Sequence, residues 1–316
     1  TDDTAAIQTA ITAVSTATQP GIIALPLGDC VVSSTLTIQE GQTLRGAGGI
    51  NRGSGNPDTV KYPSRILWRG AATGTIIAVS ATGNNGARIE RLGIDGNGLT
   101  TGTAIDLSGV GNNHLLDLEL TNYQGDDTSN SGTGILVSTI TNRIENVSIS
   151  HFETGVNITN NVNQLYDVRG WNLSRGILIN GSVYGNSIVG GTFENIKSWG
   201  IDIHALAYSN VITNVDLHPS KTGKHLHGGG IRFNVSSRSN VFSGVIFVDE
   251  TQTTVGVPVT NNGWMNSVAV TFANTLGQYR GDSTSGPAAP SYQGMENLLL
   301  NPSFEQGSGS TVPTSW

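Results

Sequence analysis

Three acidic residues, Glu194, Asp202 and Asp216, lie close together in the sequence and are the strongest candidates for acid–base chemistry. Glycoside hydrolysis uses two carboxyl groups, about 5–5.5 Å apart in retaining enzymes and about 6.5–9.5 Å apart in inverting enzymes. Adjacent strands can supply either separation, so the mechanism stays open at this point. The sequence therefore predicts Asp202, Asp216 and Glu194 as catalytic residues, on one sheet or on different sheets.

The residues around Asp202 are of types that bind sugars. They are Trp199 and His204 in the same repeat, Arg175 in the preceding repeat and Arg232 in the following one. An exposed indole covers the apolar carbons of a sugar ring, and guanidinium groups bond hydroxyls or the carboxylate of a uronic acid. We predict that all four bind substrate. The structural alternative is an ion pair between Asp202 and an arginine, with Trp199 covering the edge of a repeat.

Two insertions carry further polar groups. The longer one, residues 219–229, contains Lys221, Lys224, His225 and His227. These could hold an acidic glycan or supply a general base for β-elimination, and a solvated loop is the alternative. The spacing of the two histidines suits a metal, but no third ligand follows, so no metal site is predicted. The second insertion, residues 124–131, is interpreted first as a polar turn. No cofactor is expected, except Ca²⁺ if the protein is a lyase.

The elements that position these residues follow from an internal repeat. A four-residue motif recurs every 21 to 30 residues. It consists of Gly or Ala, then Ile or Val, then a variable residue and then another apolar residue. Its copies begin at Ala104, Gly134, Gly155, Gly176, Gly200, Gly230 and Gly256. A second motif follows each copy of the first. It alternates apolar and polar residues, which indicates β-strands. Short repeats that cannot bury an apolar face alone must stack, so the sequence predicts an all-β solenoid with a continuous core.

Each copy of the second motif begins with an asparagine. The column consists of Asn113, Asn142, Asn163, Asn186, Asn210, Asn240 and Asn266. We interpret it as structural, marking a tight turn where the amide tolerates left-handed backbone or bonds the stacked backbone. Asp95, within Asp-Gly-Asn-Gly, is likewise interpreted as a turn residue.

The first segment of the chain is the one stretch whose hydrophobic spacing predicts an amphipathic helix. Ile7, Ala10, Ile11 and Val14 form an apolar stripe, and Pro20 and Gly21 end it. Elsewhere the composition is turn-rich, with 42 glycines and only 12% charged residues. The net charge of −7 argues against a nucleic-acid partner, and no apolar run reaches the ~20 residues that would predict membrane insertion. A single cysteine, Cys30, leaves no internal disulfide.

Three segments near the amino terminus carry a family resemblance. Residues 1–8, 25–30 and 43–48 are similar to the amino-terminal signature of the pectate-lyase-like superfamily, which includes bacteriophage tailspike depolymerases. Cys30 stands where the family usually has an aromatic residue. The resemblance covers roughly residues 1–275 and implies a right-handed, single-stranded parallel β-helix plugged by a short amino-terminal capping helix. It also implies a polysaccharide partner, an extracellular or virion-tail location and, for a tailspike, a homotrimer.

The predicted organisation has four parts. Residues 1–19 form the capping helix, 20–276 the β-helix, 277–296 a Gly/Ser/Pro-rich linker, and 297–316 the start of a carbohydrate-binding or tail-fibre module. The leading function is a glycan depolymerase, either a hydrolase or a lyase. A receptor-binding adhesin without cleavage and an inert structural shaft are the alternatives, because one scaffold hosts many sites.

Overall fold

The computed structural model describes residues 1–15, 21–47, 63–80, 85–124, 130–204, 206–219, 230–234, 237–249, 259–261 and 266–274. Helix α1 (Thr4–Ser15) comes first, and strands follow. Every strand pair in these ranges is parallel. The strands stack in two long sheets, so the predicted all-β parallel β-helix is confirmed.

The two sheets differ in strand length. The nine-stranded sheet contains β3 (Leu36–Ile38), β6 (Thr75–Val79), β8 (Thr103–Asp106), β10 (Thr133–Val137), β12 (Thr154–Ile158), β14 (Arg175–Ile179), β17 (Trp199–Ile203), β20 (Gly230–Phe233) and β22 (Val259–Asn261). The fourteen-stranded sheet contains β1 (Ile22–Ala24), β2 (Gly28–Val32), β4 (Thr43–Arg45), β5 (Ser64–Trp68), β7 (Arg88–Asp95), β9 (His114–Thr121), β11 (Arg143–Ser150), β13 (Gln164–Trp171), β15 (Ser187–Val189), β16 (Thr192–Ile196), β18 (Val211–Thr213), β19 (Asp216–Pro219), β21 (Val241–Asp249) and β23 (Ser267–Asn274).

The larger sheet is bent along one column of residues. In each of the seven coils from β7 to β21, one residue of this column has positive φ; these residues are Arg91, Asp117, Asn146, Asp167, Gly190, Asn214 and Gly244. Strand β13 pairs with β15 before this column and with β16 after it, so the two halves are separate faces. We call the part before the column face 1, the part after it face 2, and the nine-stranded sheet face 3. Each coil therefore presents three outward faces around one apolar core of Ile, Val, Leu and Phe.

The asparagine column forms a buried ladder. The Oδ1 of Asn163 accepts hydrogen bonds from the backbone N of Asn142 at 2.9 Å and from its Nδ2 at 2.8 Å. The same pair of hydrogen bonds, from the backbone N and the Nδ2 of one asparagine to the Oδ1 of the next, recurs along the column from Asn113 to Asn266. Left-handed backbone falls on the residue before the asparagine, as at Thr141 and Val162. The structural interpretation is confirmed, and the amide acts by bonding the stacked backbone of the neighbouring coil.

The glycines that begin the four-residue motif are required by the stacking of coils. A Cβ at Gly134 would lie 2.6 Å from the carbonyl oxygen of Gly155, and one at Gly155 would lie 2.7 Å from that of Gly176. Contacts below about 3 Å force the backbone to move. These positions are therefore fixed by close approach between successive coils.

Helix α1 closes the amino-terminal end of the core, as the apolar stripe predicts. Ile7 and Ile11 are buried, whereas Ala10 is exposed and takes no part in the contact. Gln8 of the helix bonds the backbone N of Thr37 at 2.9 Å and its carbonyl at 3.2 Å, which ties α1 to β3. In the described part of the chain, no helix has both the length and the apolar character to cross a bilayer.

Candidate functional site

Asp202 lies on β17 of face 3 and is fully buried. Arg232 on the next strand binds its carboxylate with two hydrogen bonds, from Nε at 2.8 Å and from Nη2 at 2.6 Å. Arg175 on the preceding strand approaches to 3.2 Å through Nε, without the angles of a hydrogen bond. The Nδ2 of Asn234 adds a bond of 3.3 Å. Burying a carboxylate is costly unless it is paired, and here two guanidinium groups compensate its charge.

The two aromatic residues of this cluster differ in exposure. The sequence interpretation expects an exposed Trp199, but its side chain is only 5% exposed, because the Arg232 guanidinium stacks over the indole at 5.1 Å from the ring centre. The broad face that would cover a sugar is therefore occupied. His204 is 41% exposed, with Nε2 3.6 Å from the Asp202 carboxylate. Together, Arg175, Trp199, Asp202, His204 and Arg232 form a cluster across three adjacent strands, which we call the arginine cluster.

Glu194 and Asp216 lie elsewhere, on face 2. Asp216 is in register with Thr192, and Glu194 lies two residues further along β16. Both carboxylates are half-buried, and neither forms an ion pair or hydrogen bond in the part of the chain that the structure describes. The structure thus brings Glu194 and Asp216 together and places Asp202 on a different sheet from both.

Face 2 also contains a tryptophan that the sequence interpretation missed. Trp171 ends β13, is half-buried, and is in register with Ser150 on one side and Glu194 on the other. The neighbouring column holds Ser148 in register with Glu119 and Arg169. Strands β13 and β16 are in register from Gly170 with Phe193 to Trp171 with Glu194, so counting back one residue pairs Arg169 with Thr192 on the same outward face. Continuing the two-residue alternation from Arg169 by one step would have placed Trp171 beside Glu194 on the outward face.

Asp95, at the end of the face 2 part of β7, has the turn role that the sequence predicts. Its Oδ1 accepts a bond of 2.9 Å from the backbone N of Asn97, and Arg65 lies 3.3 Å from its other oxygen. Burial raises the pKa of the Asp95 carboxyl, and the Asn97 bond and the Arg65 charge offset this rise only in part.

Among the described residues of face 1, the carboxylates are held in ion pairs. Glu90 is bound by Arg45 and Arg88, and Glu145 is bound by Arg143 and by His114 at 2.8 Å. Burial opposes the charge on both carboxyls, but hydrogen bonds and charge from these partners outweigh it and lower the pKa of Glu90 and of Glu145.

A metal centre is not apparent in the described residues, where no group of three or more His, Cys, Asp or Glu side chains is arranged to hold an ion. The basic residues Lys221, Lys224, His225 and His227 and the acidic insertion at 125–129 lie outside the described residues. The predicted linker and carboxy-terminal segment, 277–316, also lie outside them.

The stacked parallel coils and the polar outward faces define a parallel β-helix of the pectate-lyase-like class. The sequence model of the family "Rhamnogalacturonase A/epimerase, pectate lyase-like" matches residues 1–203, so the chain belongs to that family. No curated protein matches the chain.

Solved structures with a similar fold include tailspike proteins. One mutant tailspike of E. coli bacteriophage HK620 aligns with a TM-score of 0.57 at 12% identity, covering 87% of this chain and 58% of that one. Another mutant of the same tailspike, in complex with a pentasaccharide, aligns with a TM-score of 0.55 at 13% identity over the same shares. ORF18 of Geobacillus virus E2 aligns with a TM-score of 0.47 at 16% identity, covering 89% and 59%. The chain thus spans less than two thirds of the length of these proteins.

Proposed function

We propose that this chain is the β-helix of a polysaccharide-binding protein of the tailspike kind, and that it cleaves its glycan. Membership of the rhamnogalacturonase A/epimerase family supports a polysaccharide ligand. The fold shared with a tailspike that was solved with a pentasaccharide supports the same ligand class. An extracellular or virion-tail location and a homotrimer belong to this proposal, and sedimentation equilibrium of the purified protein tests the trimer.

The observation that carries the proposal is the pair of unpaired, half-buried carboxylates on face 2. Adjacent strands lie about 4.8 Å apart and two residues along a strand span about 6.6 Å, so the backbones at diagonal positions are about 8 Å apart. Side chains projecting from such positions can place their carboxyl groups about 6.5–9.5 Å apart, the separation that inverting glycosidases use. Glu194 and Asp216 occupy such diagonal positions. Neither is held by a cation in the described part of the chain, so each has oxygens available for proton transfer.

The chemistry that follows is hydrolysis by a general acid and a general base. One carboxyl of the pair protonates the glycosidic oxygen that leaves, and the other removes a proton from the attacking water. Trp171, in register with Glu194, supplies an aromatic surface against which a sugar ring packs. Asp202 is not a member of this pair, because both of its oxygens are engaged and its carboxylate is buried.

The test is degradation of capsular and cell-wall polysaccharides by the purified chain. New reducing ends without ultraviolet absorbance indicate hydrolysis, whereas absorbance of an unsaturated uronide indicates elimination instead. We expect Glu194→Gln and Asp216→Asn each to lower the rate by at least ~100-fold, the lower end of what a positioned acid or base contributes.

Asp106→Asn is the matched control. Asp106 lies on face 3 five coils before Arg232, and its Oδ1 accepts a turn hydrogen bond of 2.9 Å that asparagine retains. Its rate should equal that of the unmodified protein. Glycan binding without any cleavage would refute the catalytic part and indicate an adhesin, and the absence of binding to the whole panel would indicate a structural shaft.

A further inference from the structure

The arginine cluster on face 3 has more positive than negative charge at its surface. Its single carboxylate, Asp202, is fully buried, while the side chains of Arg175 and Arg232 are 26% and 28% exposed. Two guanidinium groups against one carboxylate leave an excess of one positive charge. A positive group that is fixed in place at a surface is suited to bind an anion.

The two arginines differ in how much bonding capacity they have left. Arg232 uses Nε and Nη2 on Asp202, and its planar group is fixed further by stacking on Trp199. Arg175 makes one ion-pair contact through Nε, and neither of its Nη atoms has a hydrogen-bond acceptor in the described residues. Because a guanidinium group has five N–H donors, Arg175 retains the paired donors that match a carboxylate or phosphate.

We propose that the arginine cluster is an anion subsite that binds the carboxylate or phosphate of an acidic sugar, with Arg175 as the main donor and Arg232 as the second. Asp202 is a positioning residue: it sets the orientation of Arg232 from the strand between the two arginines. His204, exposed at the rim, lies within reach of the same anion. This subsite rests on the proposed glycan-binding function and adds the class of glycan, an acidic polysaccharide.

The subsite and the acid pair are close enough to act on one chain. Glu194 on β16 and Trp199, which is in register with Arg175, are five residues apart across the corner between face 2 and face 3. Five residues span at most about 18 Å when fully extended. A short oligosaccharide that crosses this corner therefore reaches both places, with its acidic group on face 3 and its cleaved bond on face 2.

Binding of two oligosaccharides that differ only in charge tests the proposal. The probes are a pentagalacturonate and the same pentasaccharide with its carboxyl groups reduced to alcohols, measured by calorimetry and by NMR of the Trp199 indole and the arginine Nε–H signals. Inorganic phosphate is a third probe for the anion alone. We expect the acidic pentasaccharide to bind at least tenfold more tightly than the reduced one, and the Arg175 Nε–H signal to shift with both anionic probes.

Arg175→Gln should abolish this preference, because it removes the free donors and leaves the Arg232–Asp202 pair intact. Arg143→Gln on face 1 is the matched control: it removes the same charge and should keep the preference. Equal affinity for the two pentasaccharides, or an equal loss in both variants, would overturn the anion subsite. Glu194→Gln separates the two proposals, since it should lower the rate of cleavage by at least ~100-fold and leave the acid preference unchanged. Cleavage of a neutral glycan without any acid preference would refute the subsite alone.

Discussion

Truncating one member of the asparagine ladder, Asn163→Ala, tests how much the ladder contributes to holding the coils together. The side chain of Asn163 is fully buried and makes four hydrogen bonds. Two are accepted from Asn142, and two are donated, to Asn160 at 3.0 Å and to Asn186 at 3.1 Å. Each is worth about 1 kcal/mol net, and the buried N–H of Asn142 left without an acceptor costs about 1–3 kcal/mol. Added together, these contributions predict a loss of about 5–7 kcal/mol in the free energy of unfolding.

Urea unfolding and amide hydrogen exchange measure this effect. The midpoint should fall well below that of the control Gln164→Ala, an exposed neighbour whose loss should change stability by about 0.5 kcal/mol or less. The amide of Asn142 should exchange at least ~100-fold faster, since ~1.4 kcal/mol corresponds to a factor of ten. The same midpoint in both variants, with the Asn142 amide still protected, would refute the reasoning, because the ladder would then be replaceable by water or by rearranged backbone.

Three further outcomes follow from the described residues. Gly155→Ala should destabilise by about 1–3 kcal/mol, because the added methyl meets the carbonyl of the next coil; an unchanged melting temperature would contradict this contact. The pKa values of Glu90 and Glu145 are lowered in the folded state, so their contribution to stability is present above their unfolded pKa of about 4.3 and is lost as the pH falls through the lower folded values. Melting temperatures of Glu90→Gln/Glu145→Gln should therefore fall less steeply below that pH than those of the unmodified protein, and parallel curves would argue against these ion pairs. Cys30 is buried and its pKa is raised by that burial, so a thiol reagent should modify it only under unfolding conditions; rapid labelling of the native protein would show that the position is open.

The fold was readable from the sequence because its signals are periodic. The four-residue motif, from Gly134 to Gly230, and the asparagine column each occur once per coil. Short alternating strands of this kind bury their apolar faces by stacking on neighbouring repeats. The registers of Arg175 with Trp199 and of Asp202 with Arg232 also follow from counting residues along the repeat. The repeat spacing does not predict the bend of the larger sheet at Asp167 and at the other residues of the positive-φ column. Left-handed backbone at a non-glycine residue has only a weak sequence signature.

The sequence by itself determined the parallel β-helix, its capping helix, the structural asparagines and the set of polar residues from which a site is built. Only the tertiary structure decided how these residues group. The bend divides each long strand between two faces, so Glu194 and Asp216 share face 2 with Trp171, whereas Asp202 lies on face 3. Burial is likewise a property of the packed molecule. The sequence interpretation places both Trp199 and Asp202 at outward positions, yet Arg232 covers the indole and two arginines enclose the carboxylate.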